Sequence, residues 1–279
     1  MRELEAAEIS RVVAELCISA NYYLGDSERR VIQESIKSEE SSVGKAILEQ
    51  LIENANIARD EKMPICQDTG VAVLFVDIGQ DLRIVNGDFE QAIWKGVIQG
   101  YKDGYLRKSM CDPFTRKNTG DNTPPIIHLR LVPGERMRIR IAPKGGGSEN
   151  MSAVWMMKPS DGIEGVKKAV IQRVAEAGPN PCPPVVVGIG IGGNFETCAF
   201  LAKKSLLRPL GEPNPDPELS ALEQELFQKI QDLGIGPQGL GGRTTALGVH
   251  VEMMPCHIAS LPIALNMQCH AARHKEAIL

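Results

Sequence analysis

Three short segments of this 279-residue chain place cysteine among groups that do chemistry. KMPICQDTG (62–70) sets Cys66 beside a carboxamide, a carboxylate and a hydroxyl, which together can bind a ligand and move protons. PNPCPP (179–184) holds Cys182 between prolines, whose restricted backbone makes a rigid mount for a side chain. The segment 254–275 contains two further cysteines and three histidines: Cys256, Cys269, His257, His270 and His274. An isolated CQDTG is also compatible with an ordinary turn.

A glycine-rich segment follows a predicted strand at KGGGSEN (144–150). Consecutive glycines allow the backbone to approach a ligand, and their N–H groups can cradle an anion. The segment is not a P-loop, because Lys144 precedes the glycines and the spacing differs. A flexible turn is the alternative, and the neighbouring polar residues favour an anionic ligand.

Two other motifs fit their usual cofactors poorly. Gly188, Gly190 and Gly193 match G-x-G-x-x-G between a strand and a helix, but a dinucleotide site also needs a second strand ending in an acidic residue. The corresponding stretch, SLLRPLGEPNP, predicts a loop. Zinc is disfavoured in segment 254–275, because its twelve-residue gap between cysteines matches no usual ligand spacing.

The seven cysteines divide into groups by context. Cys17 lies on the apolar face of the first predicted helix and Cys198 lies inside another, so both are expected in the core. Cys66, Cys182 and either Cys256 or Cys269 have polar or proline-rich surroundings. Three thiolates would leave one iron of a four-iron cluster without a protein ligand, which suits Lewis-acid chemistry better than electron transfer.

Composition limits the class of protein. The net charge of −4 argues against a nucleic-acid partner, which calls for a basic surface. No apolar run approaches the length of a membrane span, and the opening MRELEAAEIS is charged, unlike a signal peptide. These features predict a soluble cytoplasmic protein, in which seven thiols would stay reduced.

The elements that must position these residues are predicted from apolar periodicity. Residues 1–60 predict a helical N-terminal lobe, and residues 61–279 an α/β region, with a possible boundary at the proline-rich loop 211–218. Strands are expected at 71–78 and 185–191, and segments 126–132 and 137–141 predict a β-hairpin across the turn PGE. The fold class is therefore mixed α/β (α+β), with the cysteine segments in a mixed-sheet lobe.

The motifs CQDTG, KGGGS, PCPPVVVGIGIGG and CHAAR, in this order, resemble the alpha subunit of the class I (iron–sulfur) fumarate hydratases and L-tartrate dehydratases. The resemblance runs from about Ala14 to the C-terminus. It implies a [4Fe–4S] cluster held by Cys66, Cys182 and Cys269. Cys269 is preferred to Cys256 because the family ligand follows an apolar strand, as Cys269 follows PIALNMQ.

The resemblance also implies a set of substrate-site residues. Asp68 would exchange a proton with the substrate hydroxyl, and the expected substrate-binding residues are Gln67, Arg107, Gly147 and His257. The implied reaction is the reversible hydration of a C4 dicarboxylate, fumarate to (S)-malate first, with L(+)-tartrate dehydration as the alternative. No role is implied for Cys111 or Cys256.

In the family, the base for the C3 proton comes from a C-terminal half, which this chain, ending at Leu279, is expected to lack. The resemblance therefore implies an alpha subunit that is inactive alone and assembles with a beta subunit as α₂β₂. Two different classes stay open from the residues themselves: a non-catalytic iron–sulfur or zinc module that senses redox state or metal, and a nicotinamide oxidoreductase built on Gly188–Gly193.

Overall fold

The chain contains both helices and strands, which a computed structural model describes from Met1 to Leu279. The helices are α1 (Ala6–Tyr22), α2 (Asp26–Ser38), α3 (Ser42–Asp60), α4 (Phe89–Asp103), α5 (Gly146–Glu149), α6 (Gly162–Ala177), α7 (Phe195–Ser205) and α8 (Pro217–Gln231). The strands are β1 (Arg2–Glu5), β2 (Val71–Gly79), β3 (Leu82–Val85), β4 (Ile126–Val132), β5 (Met137–Lys144), β6 (Ala153–Met157), β7 (Val185–Gly193), β8 (Ala246–Cys256), β9 (Leu261–Gln268) and β10 (Lys275–Ile278). The predicted mixed α/β class is confirmed.

The chain folds into two compact units, each made of separate stretches of sequence. Unit 1 comprises residues 1–24, 54–146 and 273–279, and unit 2 comprises residues 25–53 and 147–272. The contacts thus group the first helix with later strands, whereas apolar periodicity suggested a helical lobe over 1–60. The division into 1–60 and 61–279 stays a prediction.

Unit 1 is built on a four-stranded sheet in the order β10-β5-β2-β4. Helix α1 packs on this sheet and on α4, and it contributes Ile9, Val13 and Ala20 to the core from one face, as its three- and four-residue spacing predicted. Asp88 caps α4 by accepting a hydrogen bond from the Gln91 N–H at 2.8 Å.

The predicted hairpin between β4 and β5 is wrong. Strand β2 lies between them, parallel to β4 and antiparallel to β5. The turn PGE crosses the end of β2, where the N–H groups of Gly79 and Gln80 donate to the carbonyls of Arg136 and Val132, both at 2.9 Å. The almost fully buried β2 takes the interior position because its apolar residues need cover on both faces, while the largely exposed β4 forms an edge.

Unit 2 is built on a second four-stranded sheet, in the order β6-β9-β7-β8. Apolar residues of α6 and α8 pack on one face, and α7 packs on the other. Gly188 and Gly190 of β7 lie under α7, where a Cβ atom would come within 2.2 Å of the Ala202 carbonyl oxygen and 2.0 Å of the Cys198 carbonyl oxygen. Close helix–strand packing therefore accounts for these two glycines of the G-x-G-x-x-G match.

The C-terminal region contains strands β8, β9 and β10. Residues 269–274, which include His270 and His274, form an irregular connection between β9 and β10. No helix of the structure is both long and apolar enough to cross a membrane.

Candidate active site

The CQDTG loop in unit 1 enters β2 through a backbone turn at Gly70. Its φ is +75°, and a Cβ atom there would lie 2.6 Å from the main chain of Lys144, so a side chain is excluded on both counts. The Tyr101 hydroxyl donates to the carbonyls of Thr69 and Gly70 at 3.0 and 2.9 Å. Asn122 adds a bond from Nδ2 to the Gly70 carbonyl at 3.2 Å. The loop is therefore held from several sides of unit 1.

Asp68 is the acidic residue of this loop, and backbone N–H groups orient its side chain. Its Oδ1 accepts the Gly70 N–H at 3.1 Å, and its Oδ2 accepts the Gly146 N–H at 2.8 Å. A carboxylate oxygen has a second lone pair, so both oxygens keep capacity for a ligand. The side chain is partly exposed, and Gly145, next to Gly146, would bring a Cβ atom within 3.1 Å of Oδ2. The glycine-rich segment, interpreted as an anion cradle, thus holds the carboxylate of Asp68.

Arg273 holds the main chain of the same residue. It is 3% exposed, and its guanidinium donates to the Asp68 carbonyl at 2.8 Å and to Asn21 Oδ1 at 3.1 Å. Sequence reasoning did not identify Arg273 as functional, although it is the arginine of the CHAAR motif. Tyr101 was also missed. Burial is the main cause that raises the pKa of its phenol, so the hydroxyl stays protonated as a hydrogen-bond donor.

Gln67 and Arg107 both have exposed side chains. The Cys66 thiol donates to Gln67 Oε1 at 3.4 Å, so the first two polar residues of the motif are in contact. Thr69 donates from Oγ1 to the Arg107 carbonyl at 2.9 Å, which attaches the Arg107 segment to the loop. Unit 1 therefore brings together Cys66, Gln67, Asp68 and the backbone of Arg107.

Unit 2 carries the second cysteine segment on a constrained turn. Cys182 is exposed and has a φ of +55°. Residues other than glycine and asparagine seldom adopt this left-handed backbone conformation. Its N–H donates to the Pro179 carbonyl at 3.0 Å, and the next carbonyl, of Pro183, accepts from Gln238 N at 2.7 Å and Nε2 at 2.8 Å. Such strain persists only where neighbours impose it, and it is often found at functional sites.

Cys269 follows β9 directly and lies next to the Cys182 turn in unit 2. The N–H of His270 donates to the Cys182 carbonyl at 3.4 Å, and His270 Nδ1 lies 3.1 Å from the same oxygen. Gln268 Nε2 donates to the Cys269 sulfur at 3.7 Å. Two of the three expected cluster ligands are thus on adjoining segments.

Cys256 is the exposed last residue of β8, and His257 lies on the exposed turn that follows. His257 Nδ1 accepts the Ala259 N–H at 3.1 Å, so in a neutral ring Nε2 carries the proton and can donate to a ligand. Cys256 donates to the Ser260 carbonyl at 3.2 Å. The remaining expected residue, Gly147, is exposed on the short helix α5.

All seven cysteines are free thiols. Cys17 and Cys198 are fully buried, as expected for core residues, and burial is the main cause that raises the pKa of each thiol. Cys111 lies in a small bridge with Asn118. The thiols of Cys66, Cys182 and Cys269 are exposed or partly exposed.

The donor set of these three cysteines fits an iron–sulfur cluster in chemistry and accessibility, because such clusters take thiolate ligands. Cys66 lies in unit 1, and Cys182 and Cys269 lie in unit 2. Within neither unit are three His, Cys, Asp or Glu side chains gathered in a metal-binding group.

Known proteins resemble this chain over almost its whole length. Residues 10–278 match the family model described as fumarate hydratase (Fumerase). A protein of Methanocaldococcus jannaschii with the provisional name L(+)-tartrate dehydratase subunit alpha is 44% identical over 272 residues, or 95% of each chain. The L(+)-tartrate dehydratase alpha subunits of Escherichia coli strains UTI89 and K12 are 33% and 32% identical over 270 residues, covering 95% of this chain and 89% of each relative. With this extent of similarity, the resemblance of the motifs is confirmed, and the chain belongs to the fumarate hydratase (Fumerase) family.

Proposed function

We propose that the chain is the alpha subunit of an iron–sulfur hydro-lyase that reversibly adds water to a C4 dicarboxylate, converting fumarate to (S)-malate. The observation that carries the proposal is the Asp68 carboxylate, which two backbone N–H groups orient at a partly exposed loop beside a cysteine, an amide and an arginine segment. Family membership supplies the reaction class, and this geometry supplies the proton-transfer group.

Cys66, Cys182 and Cys269 would hold a [4Fe–4S] cluster. When bound, such a cluster supplies a Lewis-acidic iron that lacks a protein ligand and polarises the C–O bond of the substrate. The support from this chain is the accessible thiols and the constrained turn at Cys182. Cys256, whose thiol donates to the Ser260 carbonyl four residues on, is not in the proposed ligand set.

Asp68 would exchange the proton of the substrate hydroxyl. Its two oxygens are held by the N–H groups of Gly70 and Gly146, so the carboxylate can accept a proton without reorienting. A general acid–base group of this kind contributes about 10²- to 10⁴-fold to a rate. Arg273 fixes the Asp68 main chain and so acts on the reaction through position alone.

The substrate carboxylates would be held by exposed polar groups of the chain. Arg107 offers a guanidinium fork, which binds a carboxylate through two parallel hydrogen bonds. Gln67, the Gly147 N–H and the protonated Nε2 of His257 add further donors. These residues bind and orient the substrate.

A beta subunit would complete the enzyme. The relatives in Methanocaldococcus jannaschii and Escherichia coli are named as alpha subunits, which supports assembly with a second chain. We propose an α₂β₂ assembly in which the base for the C3 proton lies on the beta chain. The isolated alpha chain should then show no hydration of fumarate.

L(+)-tartrate is the second candidate substrate, because the relatives reported above are named as tartrate dehydratase subunits. The same groups would bind L(+)-tartrate, because, like (S)-malate, it is a C4 dicarboxylate with a hydroxyl at C2.

The test is anaerobic reconstitution of the alpha chain with its beta chain, followed by assays of fumarate hydration and L(+)-tartrate dehydration. Asp68→Asn should lower kcat by about 10²-fold or more while the cluster absorbance is kept. A matched control is Asp112→Asn, at an exposed loop carboxylate of the same unit. A reconstituted complex with a full cluster but no hydro-lyase activity on either substrate would refute the proposal.

A further inference from the structure

A basic cavity lies in unit 1 at the end of β2 that is farthest from Asp68. Its volume is about 570 Å³, within the range of small-molecule sites. Three arginines, two carboxylates and an apolar residue form most of its wall: Arg130, Arg136, Arg138, Asp77, Glu135 and Ile278. Asp77 is six residues beyond Val71, so the cavity is about 20 Å along the strand from the start of β2.

The acidic groups leave part of this positive charge unmatched. Asp77 is already shared, because Oδ1 lies 2.8 Å from Arg130 Nε and Oδ2 lies 3.5 Å from Nη2 of Arg140, a neighbouring residue of β5. Neither Arg136 nor Arg138 forms an ion pair. Glu135 is the remaining carboxylate at the rim, so arginines outnumber carboxylates around the cavity.

The strands themselves direct these arginines to one place. Met137 and Ile139 of β5 face the core, so Arg138, which lies between them in sequence, is on the opposite face. Arg138 is level with Asp77 on β2, and Asp77 is level with Arg130 on β4. The register thus places Asp77 between Arg138 and Arg130, and Asp77 pairs with Arg130 and Arg140 but not with Arg138. A bound anion would supply the negative charge that Arg138 lacks.

We propose that this cavity binds a small multivalent oxyanion, carried by a phosphate ester or a polycarboxylate, between Arg136 and Arg138. Guanidinium forks match the geometry of carboxylate and phosphate oxygens and bind them through paired hydrogen bonds. The site would be additional to the substrate site around Asp68 and does not depend on the proposed function.

The test is calorimetric titration of the assembled alpha–beta complex with inorganic phosphate and, separately, with citrate, at an ionic strength held constant with chloride. We expect saturable binding at one site per alpha chain for at least one probe. The double variant Arg136→Ala, Arg138→Ala should weaken that binding about tenfold or more. Arg83→Ala, at an exposed arginine of β3, is the matched control and should leave the affinity unchanged. Asp68→Asn should also leave it unchanged, which separates this site from the substrate site.

Preference for phosphate supports a phosphate ester as the ligand, and preference for citrate supports a polycarboxylate. If the alanine variant does not fold, Arg136→Lys with Arg138→Lys keeps the charge, loses the paired hydrogen bonds and should still weaken binding. The proposal is overturned if neither probe binds saturably, or if the arginine variants bind the probe as tightly as wild type does. It is also overturned if a folded arginine variant fails to assemble with the beta chain, because these arginines would then form a subunit contact.

Discussion

Glu39 makes the stability of unit 2 dependent on pH. Its carboxylate is 1% exposed and follows α2. Oε1 accepts the N–H groups of Glu40, Ser41 and Arg243, each at 2.9 Å, and Oε2 accepts the Thr244 N–H at 2.7 Å. The side chain therefore joins the end of α2 to the loop 232–245, which precedes β8.

That loop also supports the turn that carries Cys182. Gln238, within the loop, donates twice to the Pro183 carbonyl, and Gly239 packs so closely on Pro179 that a Cβ atom would lie 2.3 Å from the proline Cβ. Loss of the hydrogen bonds to Glu39 should therefore make the turn that carries Cys182, a proposed cluster ligand, less rigid.

The size of the effect follows from the pKa of Glu39. Burial raises this pKa, but the hydrogen bonds from Thr244, Ser41 and Arg243 outweigh burial and lower it from 4.5 to about 2. The folded state thus favours the ionised carboxylate by about 3 kcal/mol relative to the unfolded chain. Because the folded pKa is the lower one, this stabilisation is present in full above about pH 5 and is lost as the pH falls towards about 2.

Glu39→Gln tests this reasoning. The amide is close in size but carries no charge, and its NH₂ group faces an N–H donor in place of an oxygen. At about pH 7 the variant should be less stable by about 3 kcal/mol, and the difference should shrink as the pH falls below about 5. The measurement is the free energy of unfolding in urea from neutral to acid pH, with amide hydrogen exchange of Arg243 and Thr244 as the local readout.

Glu225→Gln is the matched control, at a partly exposed glutamate paired with Lys167 and Lys229. Its effect on stability should be small, because exposed ion pairs contribute little. If wild type and Glu39→Gln keep the same difference in stability from neutral pH to about pH 3, the hydrogen bonds to Glu39 are not the source of the pH dependence and the reasoning fails.

Two further predictions concern the proposed cluster and the loop of Asp68. Cys269→Ser should lose most of the cluster absorbance in the reconstituted complex, whereas Cys256→Ser should keep it; a full cluster in the Cys269 variant would exclude this residue as a ligand. Arg273→Met removes two charge-assisted hydrogen bonds from a buried site, so it should lower the free energy of unfolding by about 3 kcal/mol and reduce kcat, with partial recovery in Arg273→Lys. Unchanged kcat in a folded Arg273→Met enzyme would show that the residue does not position Asp68.

Much of the site could be located from sequence because its chemistry is local. Cys66, Gln67 and Asp68 are consecutive, so their proximity needs no knowledge of the fold. The core positions of Cys17 and Cys198 followed from helical spacing and are confirmed. The cluster ligands and the substrate residues came from resemblance of motifs in order, and their roles stay predictions.

Residues that act over long sequence separations could not be found in this way. Glu39 lies more than two hundred residues from Thr244, and Arg273 lies a similar distance from Asp68. A lone buried glutamate or arginine has no local pattern that distinguishes it from a surface charge. The β4–β5 hairpin failed for the same reason, because a strand from earlier in the chain inserts between two apolar segments joined by a short turn.

Residue type, order and short-range periodicity were enough to predict the family, the mixed α/β class and the segments that carry reactive groups. The contacts that orient these groups appear only in the folded chain: two N–H groups hold the Asp68 carboxylate, the Arg273 guanidinium holds its carbonyl, and Glu39 holds the loop before β8. The physical reason is that hydrogen bonds and charges act over a few ångströms in space, and folding alone sets which distant residues come within that distance.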